Sequence, residues 1–465
     1  MNRFPSRNAR RFWLCGLLLG LLALFCARAS GSGPDLAGSR QGLSAAFADV
    51  DGDGVPDKLV GAPYARSSSG VGVVLVYPGT PQGYETNPSL LLEGGDHFGF
   101  AVRNVGDVDG DGREDFAVGA IHGSGDGEDE GSLSGAVTIF QGGGKGKVLR
   151  RVGGEGPLDK FGFCLAAGDF NGDGRREMSV GAPFHTPEPA LFSQGAVYVY
   201  LGPESRRPLR LPAGPAAKGL GWSVAAADVN GDGVDDLLLS ATGKVLGFYG
   251  GRSFSPSVAT PDLIVESSAR GFGRALCAMG DLDGDKVPEL AIGAPNAVAE
   301  GKQEAGCVLV VRGGTGKRTI RLDGQPAPAE LLARVCGASS FDRFGSTLEA
   351  VGGGEAGGSL GLAVGAPLAD SSAGPLSGAV YYFKASSLAG GAALAGAARI
   401  GGLARDQNFG AAMVSRGRNV LLIGGPRSDG DTGGTVLLDL GVARPAAEVK
   451  RERERLGEAE GCGCD

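Results

Sequence analysis

Five nine-residue segments recur in one register and limit what this chain can become: "DVDGDGVPD" at 49–57, "DVDGDGRED" at 107–115, "DFNGDGRRE" at 169–177, "DVNGDGVDD" at 228–236 and "DLDGDKVPE" at 281–289. Each has Asp or Asn at positions one, three and five and a carboxylate at nine. So much like charge in one tight turn repels itself unless a cation sits among the oxygens, and hard oxygen donors at this density suit Ca²⁺. The candidate ligands are Asp49, Asp51, Asp53 and Asp57; Asp107, Asp109, Asp111 and Asp115; Asp169, Asn171, Asp173 and Glu177; Asp228, Asn230, Asp232 and Asp236; and Asp281, Asp283, Asp285 and Glu289. The backbone carbonyls of Val55, Arg113, Arg175, Val234 and Val287 at position seven complete the sets, for up to five calcium ions. An EF-hand is excluded, because its bidentate Glu at position twelve is replaced by Val60, Val118, Val180, Leu239 and Ile292.

The flanks of the acidic turns repeat as well. A Gly-containing pair precedes the turns (Phe98-Gly99, Phe161-Gly162, Leu220-Gly221, Phe272-Gly273), and an apolar run ending in Gly-Ala-Pro follows at 61–63, 181–183 and 293–295. Next comes a β-branched and aromatic run bounded by glycine, such as "GVVLVYPG" or "GAVYVYLG", which reads as a strand. Two further copies, from Phe344 and Phe409, keep this frame without the acids. Unit starts fall near 41, 98, 161, 220, 272, 344 and 409, giving seven units of 52 to 72 residues. Short strands repeating at such a period predict an all-β, seven-bladed β-propeller over 41–442, the acidic turn joining the first two strands of a blade. The strand that completes the seventh blade comes either from residues near 35–40 or from 443–453.

Phe-Gly, a DxDxDG-type turn and Gly-Ala-Pro within one unit resemble the FG-GAP repeats of the integrin α-subunit head, and the resemblance spans nearly all of residues 41–440. It implies a seven-bladed propeller with calcium in the acidic turns and ligand recognition on the face away from them. The same repeats occur in bacterial surface proteins and beside catalytic domains in some phospholipases. Arg-Gly-Asp and the accessory domains of an integrin subunit are missing from this chain.

Four arginines followed by an apolar stretch from Phe12 to Cys26 and "ARA" read as a secretory signal peptide cleaved after Ala29. Residues 30–40 form a short N-terminal segment, and 443–465 a charged tail ending in "GCGCD". The apolar core of 15 residues is too short to span a bilayer, and nothing after residue 30 is long and apolar enough to do so. The expected location is secreted, cell-surface or periplasmic. Losing five arginines and no acid on cleavage takes the net charge from −8 to −13, which disfavours nucleic acid as a partner. Cys462-Gly-Cys464 is compatible with a disulfide, a metal site or a processing signal.

Neither a metallopeptidase nor a hydrolase motif occurs, so the chain reads as non-enzymatic. His97, His122 and His185 fall by strand parity on the face opposite the acidic turns, where a metal or acid-base site in a polysaccharide-processing enzyme is the alternative to be tested. Long second-to-third-strand loops on that face are expected to carry recognition: Asp126, Glu128, Asp129 and Glu130 make one rim acidic, and Phe184, His185 and Phe192 offer apolar surface on the next unit. The expected function is recognition of an extracellular protein or glycan in the manner of an adhesion module, with a structural role in the cell envelope as the other alternative; oligomeric state is left open. Two local expectations follow. Lys286 stands where the other loops have Gly54, Gly112, Gly174 and Gly233, so loop five should be the weakest calcium site if that position needs positive φ. Cys307 and Cys336 lie on adjacent strands and should form a disulfide.

Overall fold

A computed structural model describes residues 40–439 apart from 68–69, 82, 126–132, 144, 187–192, 203–204, 206, 214–216, 353–360, 392, 417–419 and 427–433. The signal segment, the C-terminal tail, both candidate closing strands, the rim acids Asp126, Glu128, Asp129 and Glu130, and Phe192 lie outside the described residues. The regular structure of the described residues is almost all β-strand, paired mainly antiparallel. A five-residue helix, Ala385–Ala389, and a 3-10 turn at Leu394–Gly396 were not anticipated from the sequence.

Each repeat begins with a strand that pairs antiparallel with the next, and in the first five units an acidic turn joins the two. The pairings that close these turns are Ala48 with Asp57, Gly106 with Asp115, Gly168 with Glu177 and Ala227 with Asp236. Position nine of the motif is therefore the first residue of the second strand. In the fifth unit the pairing starts one residue later, at Ala278 with Leu290.

Among the described residues, the paired sheets do not correspond one to one with seven four-stranded blades. There are five of four or more strands, one of three strands (Ala412–Arg416, Val420–Gly425, Gly434–Asp439) and a two-stranded ribbon at Gly79–Tyr84. The difference has two physical causes. The first two units merge into one eight-stranded sheet through a single parallel pair, Gly72 with Phe98, and the last unit shows three strands among the described residues. The chain between the third and fourth strands of unit five also departs from the repeat. Its Arg318–Arg321 segment leaves its own sheet and pairs parallel with Leu263–Glu266 of the preceding unit, where Arg321 and Lys317 meet Glu266 and Asp262.

The repeated glycines account for the join between sheets. A Cβ on Gly119 would lie 2.3 Å from the carbonyl oxygen of Gly162, and the same clash recurs for Gly61 on Gly99, Gly181 on Gly221, Gly293 on Gly345 and Gly365 on Gly410. The apolar-run glycine of one unit thus presses on the Phe-Gly glycine of the next. Gly424 of the last unit presses on Gly42 of the first, so the series returns on itself as a propeller must. The aromatic residue of the pair is buried between neighbouring sheets: Phe161, Phe344 and Phe409 are at most 1% exposed. Burying such a side chain contributes about 2–3 kcal/mol. Cys307 and Cys336 are register partners on adjacent strands and form a disulfide, as expected, while Cys277 is a free thiol.

Candidate functional site

The five acidic turns share one internal geometry. Both carboxylate oxygens of position one accept backbone N–H groups from positions four and six, as Asp49 does from Gly52 and Gly54 at 2.8 and 2.9 Å. Asp281 does the same with Gly284 and Lys286 at 2.6 and 2.8 Å. Position three accepts from the N–H of five, and five from that of seven, so the side chains are drawn inward before any ion is considered. Position six has φ of 85° to 86° in the four glycine loops and 73° at Lys286, which confirms the positive φ inferred for it.

Adjacent turns are bonded to one another. Asp49 N–H donates to the Glu114 carboxylate at 2.8 Å while Glu114 N–H donates to the Asp49 carbonyl, and Asp169 and Asp235 repeat the exchange between loops three and four. In this way neighbouring acidic turns are locked onto a common face.

The position-nine carboxylates are buried, and here the loops diverge. In loops one, two and four the aspartate bridges two backbone N–H groups: Asp57 holds Val50 and Gly79, Asp115 holds Val108 and Gly142, and Asp236 holds Val229 and Gly250. Loops three and five have the longer glutamate. Glu177 accepts from the N–H of Phe170 and Asn171 on one oxygen and from the Asn171 side-chain amide, at 2.9 Å, on the other. Glu289 accepts from Leu282 N–H on Oε2, but its buried Oε1 has no partner. That bare oxygen belongs to a set in which Asp281, Asp283, Asp285 and Glu289 each place one carboxylate oxygen within 4.8 Å of the others.

Three-carboxylate sets of the same tightness form at Asp49, Asp51 and Asp53 and at Asp107, Asp109 and Asp115. Loops three and four converge differently: the Asn171 amide also donates to Asp173, and the Asn230 amide donates to Asp232 and Asp236, so an internal donor stands among the acids. Other donors reach in from outside. Gln141 donates to Asp109 and Asp111 in loop two, and Arg312 pairs with Asp283 at 2.9 Å in loop five. Four converging carboxylates at loop five do not favour ranking it the weakest.

Electrostatics point the same way. Desolvation, opposed in part by backbone hydrogen bonds and reinforced by neighbouring carboxylates, pushes Asp57 up to about 6 and Glu177, Asp236 and Glu289 to about 7; Asp115 is raised as well. Without a compensating positive charge, these groups resist ionising at neutral pH. A hard divalent cation bound by oxygens removes that penalty, and the bare Glu289 Oε1 in a four-carboxylate set is the donor chemistry it requires.

The histidines do not form one site. His97 and His122 meet, with Nδ1 atoms 2.9 Å apart, whereas His185 is buried and bound to Asp159 at 2.8 Å. His185 therefore offers no surface for recognition, contrary to the expectation from sequence. Phe184 belongs instead to a run of half-buried rings that the sequence reading missed: Phe100, Phe163, Trp222 and Phe184 touch in series at centroid distances of 5.2 Å. Lys160 stacks on Phe184 at 4.6 Å and Arg274 on Trp222 at 4.1 Å. The missed signal was the residue immediately after each Phe-Gly or Leu-Gly pair, which starts the first strand at the end opposite the acidic turn.

Comparison with known proteins agrees with this geometry. The FG-GAP repeat family matches residues 161–200, 220–252 and 272–311. Integrin alpha-4 of Xenopus laevis is 35% identical over 160 residues, covering 31% of this chain and 14% of that protein. Human integrin alpha-7 is 35% identical over 173 residues, covering 34% of this chain and 14% of its own length. Bovine phosphatidylinositol-glycan-specific phospholipase D is 36% identical over 113 residues, or 21% of this chain and 13% of that enzyme. The matched stretch is thus a small fraction of each relative.

Proposed function

Taking the chain as an integrin alpha-like, all-β propeller of FG-GAP repeats, we propose that it is a secreted, calcium-binding recognition module. In this reading it engages an extracellular protein or glycan through the face opposite its acidic turns. Residues 1–29 are its signal peptide, 30–40 a linking segment, 41–442 a ring of seven blades and 443–465 a tail. Contact between first strands in the cyclic order Ser44–Ala48, Phe98–Gly106, Cys164–Gly168, Val224–Ala227, Ala275–Ala278, Thr347–Val351 and Ala412–Arg416 favours seven blades over the five sheets of four or more strands. The Cys307–Cys336 disulfide fits an oxidising, extracytoplasmic compartment. No helix among the described residues is long and apolar enough to cross a membrane. Calcium takes its ligands from the five turns, most firmly in loops one, two and five, where carboxylates converge.

The observation that carries the recognition reading is the aromatic run Phe100–Phe163–Trp222–Phe184, capped by Lys160 and Arg274. Rings held edge to edge on a rigid sheet end give contact area at low entropic cost, to a glycan ring or to an apolar peptide side chain. This favours binding over catalysis, because His185, Asp159 and the His97–His122 pair do not converge on one reacting centre. The test is a protein and glycan array probed with the calcium-loaded chain, followed by Trp222→Ala and Phe163→Ala. Trp222 is the only tryptophan after residue 29, so its fluorescence should respond to the captured ligand, and both substitutions should weaken binding at least about tenfold. Unchanged affinity in both variants, with fluorescence silent on binding, would place recognition elsewhere.

A further inference from the structure

We propose that His97 and His122 form a second, chemically distinct metal site, which takes a late first-row divalent ion such as Zn²⁺ through their Nδ1 atoms. The proposal does not rest on the calcium reading, since it uses no residue of the acidic turns.

The geometry comes first. Two nitrogens bound to one zinc at roughly 2.0–2.1 Å lie about 2.9 Å apart at a right-angled geometry and about 3.4 Å apart at a tetrahedral one. The Nδ1 atoms are 2.9 Å apart, within hydrogen-bond distance, so in the metal-free pair one ring donates to the other and an ion would take the place of that shared proton. Imidazole nitrogen selects this class of ion, whereas the oxygen-only turns select a hard one.

The pair is also preorganised. His97 N–H donates to the Val71 carbonyl at 2.7 Å, and His122 N–H donates to the Asp96 carbonyl at 3.2 Å, so both backbones are pinned. The His97 ring is held edge-on between Tyr64 and His122, at centroid distances of 5.0 and 4.8 Å. Asp96 and His97 both sit at positive φ, 65° and 66°, a conformation uncommon outside glycine that aims the imidazole at its partner.

Charge around the pair is mixed. The Asp96 carboxylate favours a cation, the Lys160 ammonium opposes one and is drawn onto the Phe184 face, and Arg40 sits on Tyr64. The pair opens into a depression lined by Val71, Asp96, Leu133 and Leu158, which leaves coordination positions for water or a donor from a bound partner.

The chain has three histidines, so their ring signals can be read one by one by NMR in the full-length, calcium-saturated protein. Titration with zinc chloride alone should shift the His97 and His122 ring signals together, saturating at one equivalent, and leave His185 unmoved. His122→Gln should weaken this step on the order of 100-fold. Cys462→Ser with Cys464→Ser, which removes the tail thiols, should leave it intact. Zinc that shifts neither His97 nor His122, or that binds equally well in His122→Gln, would overturn the proposal. Should His122→Gln fail to fold, the wild-type signals alone decide.

Discussion

Loops three and five share a glutamate at position nine but differ at position three, Asn171 against Asp283. In loop three the asparagine amide turns inward and donates to both Asp173 and Glu177, so the turn carries its own positive end. In loop five Asp283 has no hydrogen to donate, Glu289 Oε1 is buried without a partner, and four carboxylates each place an oxygen within 4.8 Å of the others. One atom's difference, nitrogen for oxygen, thus separates a turn whose glutamate is met on both oxygens from one whose Glu289 Oε1 stays bare even with Arg312 paired to Asp283. Burying an unmatched carboxylate oxygen is costly, and beside loop five the first strand is displaced by one residue, pairing Ala278 with Leu290 where loop three pairs Ala167 with Met178. On the calcium reading proposed above, the loops are variants of one site that should depend on the ion to different degrees.

The comparison can be broken most directly by exchanging the two residues. In chelator, Asp283→Asn should raise stability by about 1–3 kcal/mol by giving Glu289 a donor, and should lower calcium affinity at loop five. Asn171→Asp should do the reverse at loop three. Denaturant midpoints with and without calcium measure both, and equal responses to the ion in the two variants would dissolve the distinction.

A smaller effect should appear in the pH dependence of the metal-free protein. Asp57, Glu177, Asp236 and Glu289 have folded-state pKa values raised to about 6 or 7, so the folded chain holds protons that the unfolded chain has released. Stability in chelator should then fall as pH rises from about 4 through about 7. Calcium should flatten that slope by stabilising the ionised forms. Unfolding midpoints measured at pH 5 and pH 8 decide the sign, and a midpoint that rises with pH in chelator would contradict it.

The smallest effect sharpens loop five alone. Lys286 occupies a left-handed conformation that costs a non-glycine residue about 1 kcal/mol, so Lys286→Gly should stabilise the chain by roughly that amount with or without calcium. A gain seen only with calcium would instead assign the effect to ammonium–ion repulsion.

What was legible in the sequence follows from locality. The acidic register, the strand ends beside it, the positive φ at Lys286 and the Cys307–Cys336 pairing all depend on residues close in the chain or on one sheet, where spacing specifies geometry. Features that failed to show were contacts between units. The press of Gly119 on Gly162 is invisible as two glycines 43 residues apart, although their repetition marked both as structural. The excursion of Arg318–Arg321 onto the preceding sheet has no local pattern, and neither does the burial of His185 against Asp159. The His97–His122 contact needed two loops of known direction. At the acidic turns, composition gave the donor types, but only coordinates separated Glu177, met by Asn171, from Glu289, met by nothing on Oε1.

The central claim is that the acidic turns are calcium sites whose occupancy holds the propeller together. Thermal unfolding of the full chain at neutral pH, in saturating calcium and in excess chelator, tests it most directly. An ion that binds only the folded state adds about 2.7 kcal/mol per site at a hundred times its Kd, so loops one, two and five together should raise the midpoint by many degrees. The gain should shrink by a site's share in Asp283→Asn. Superimposable unfolding curves in calcium and chelator would contradict the account.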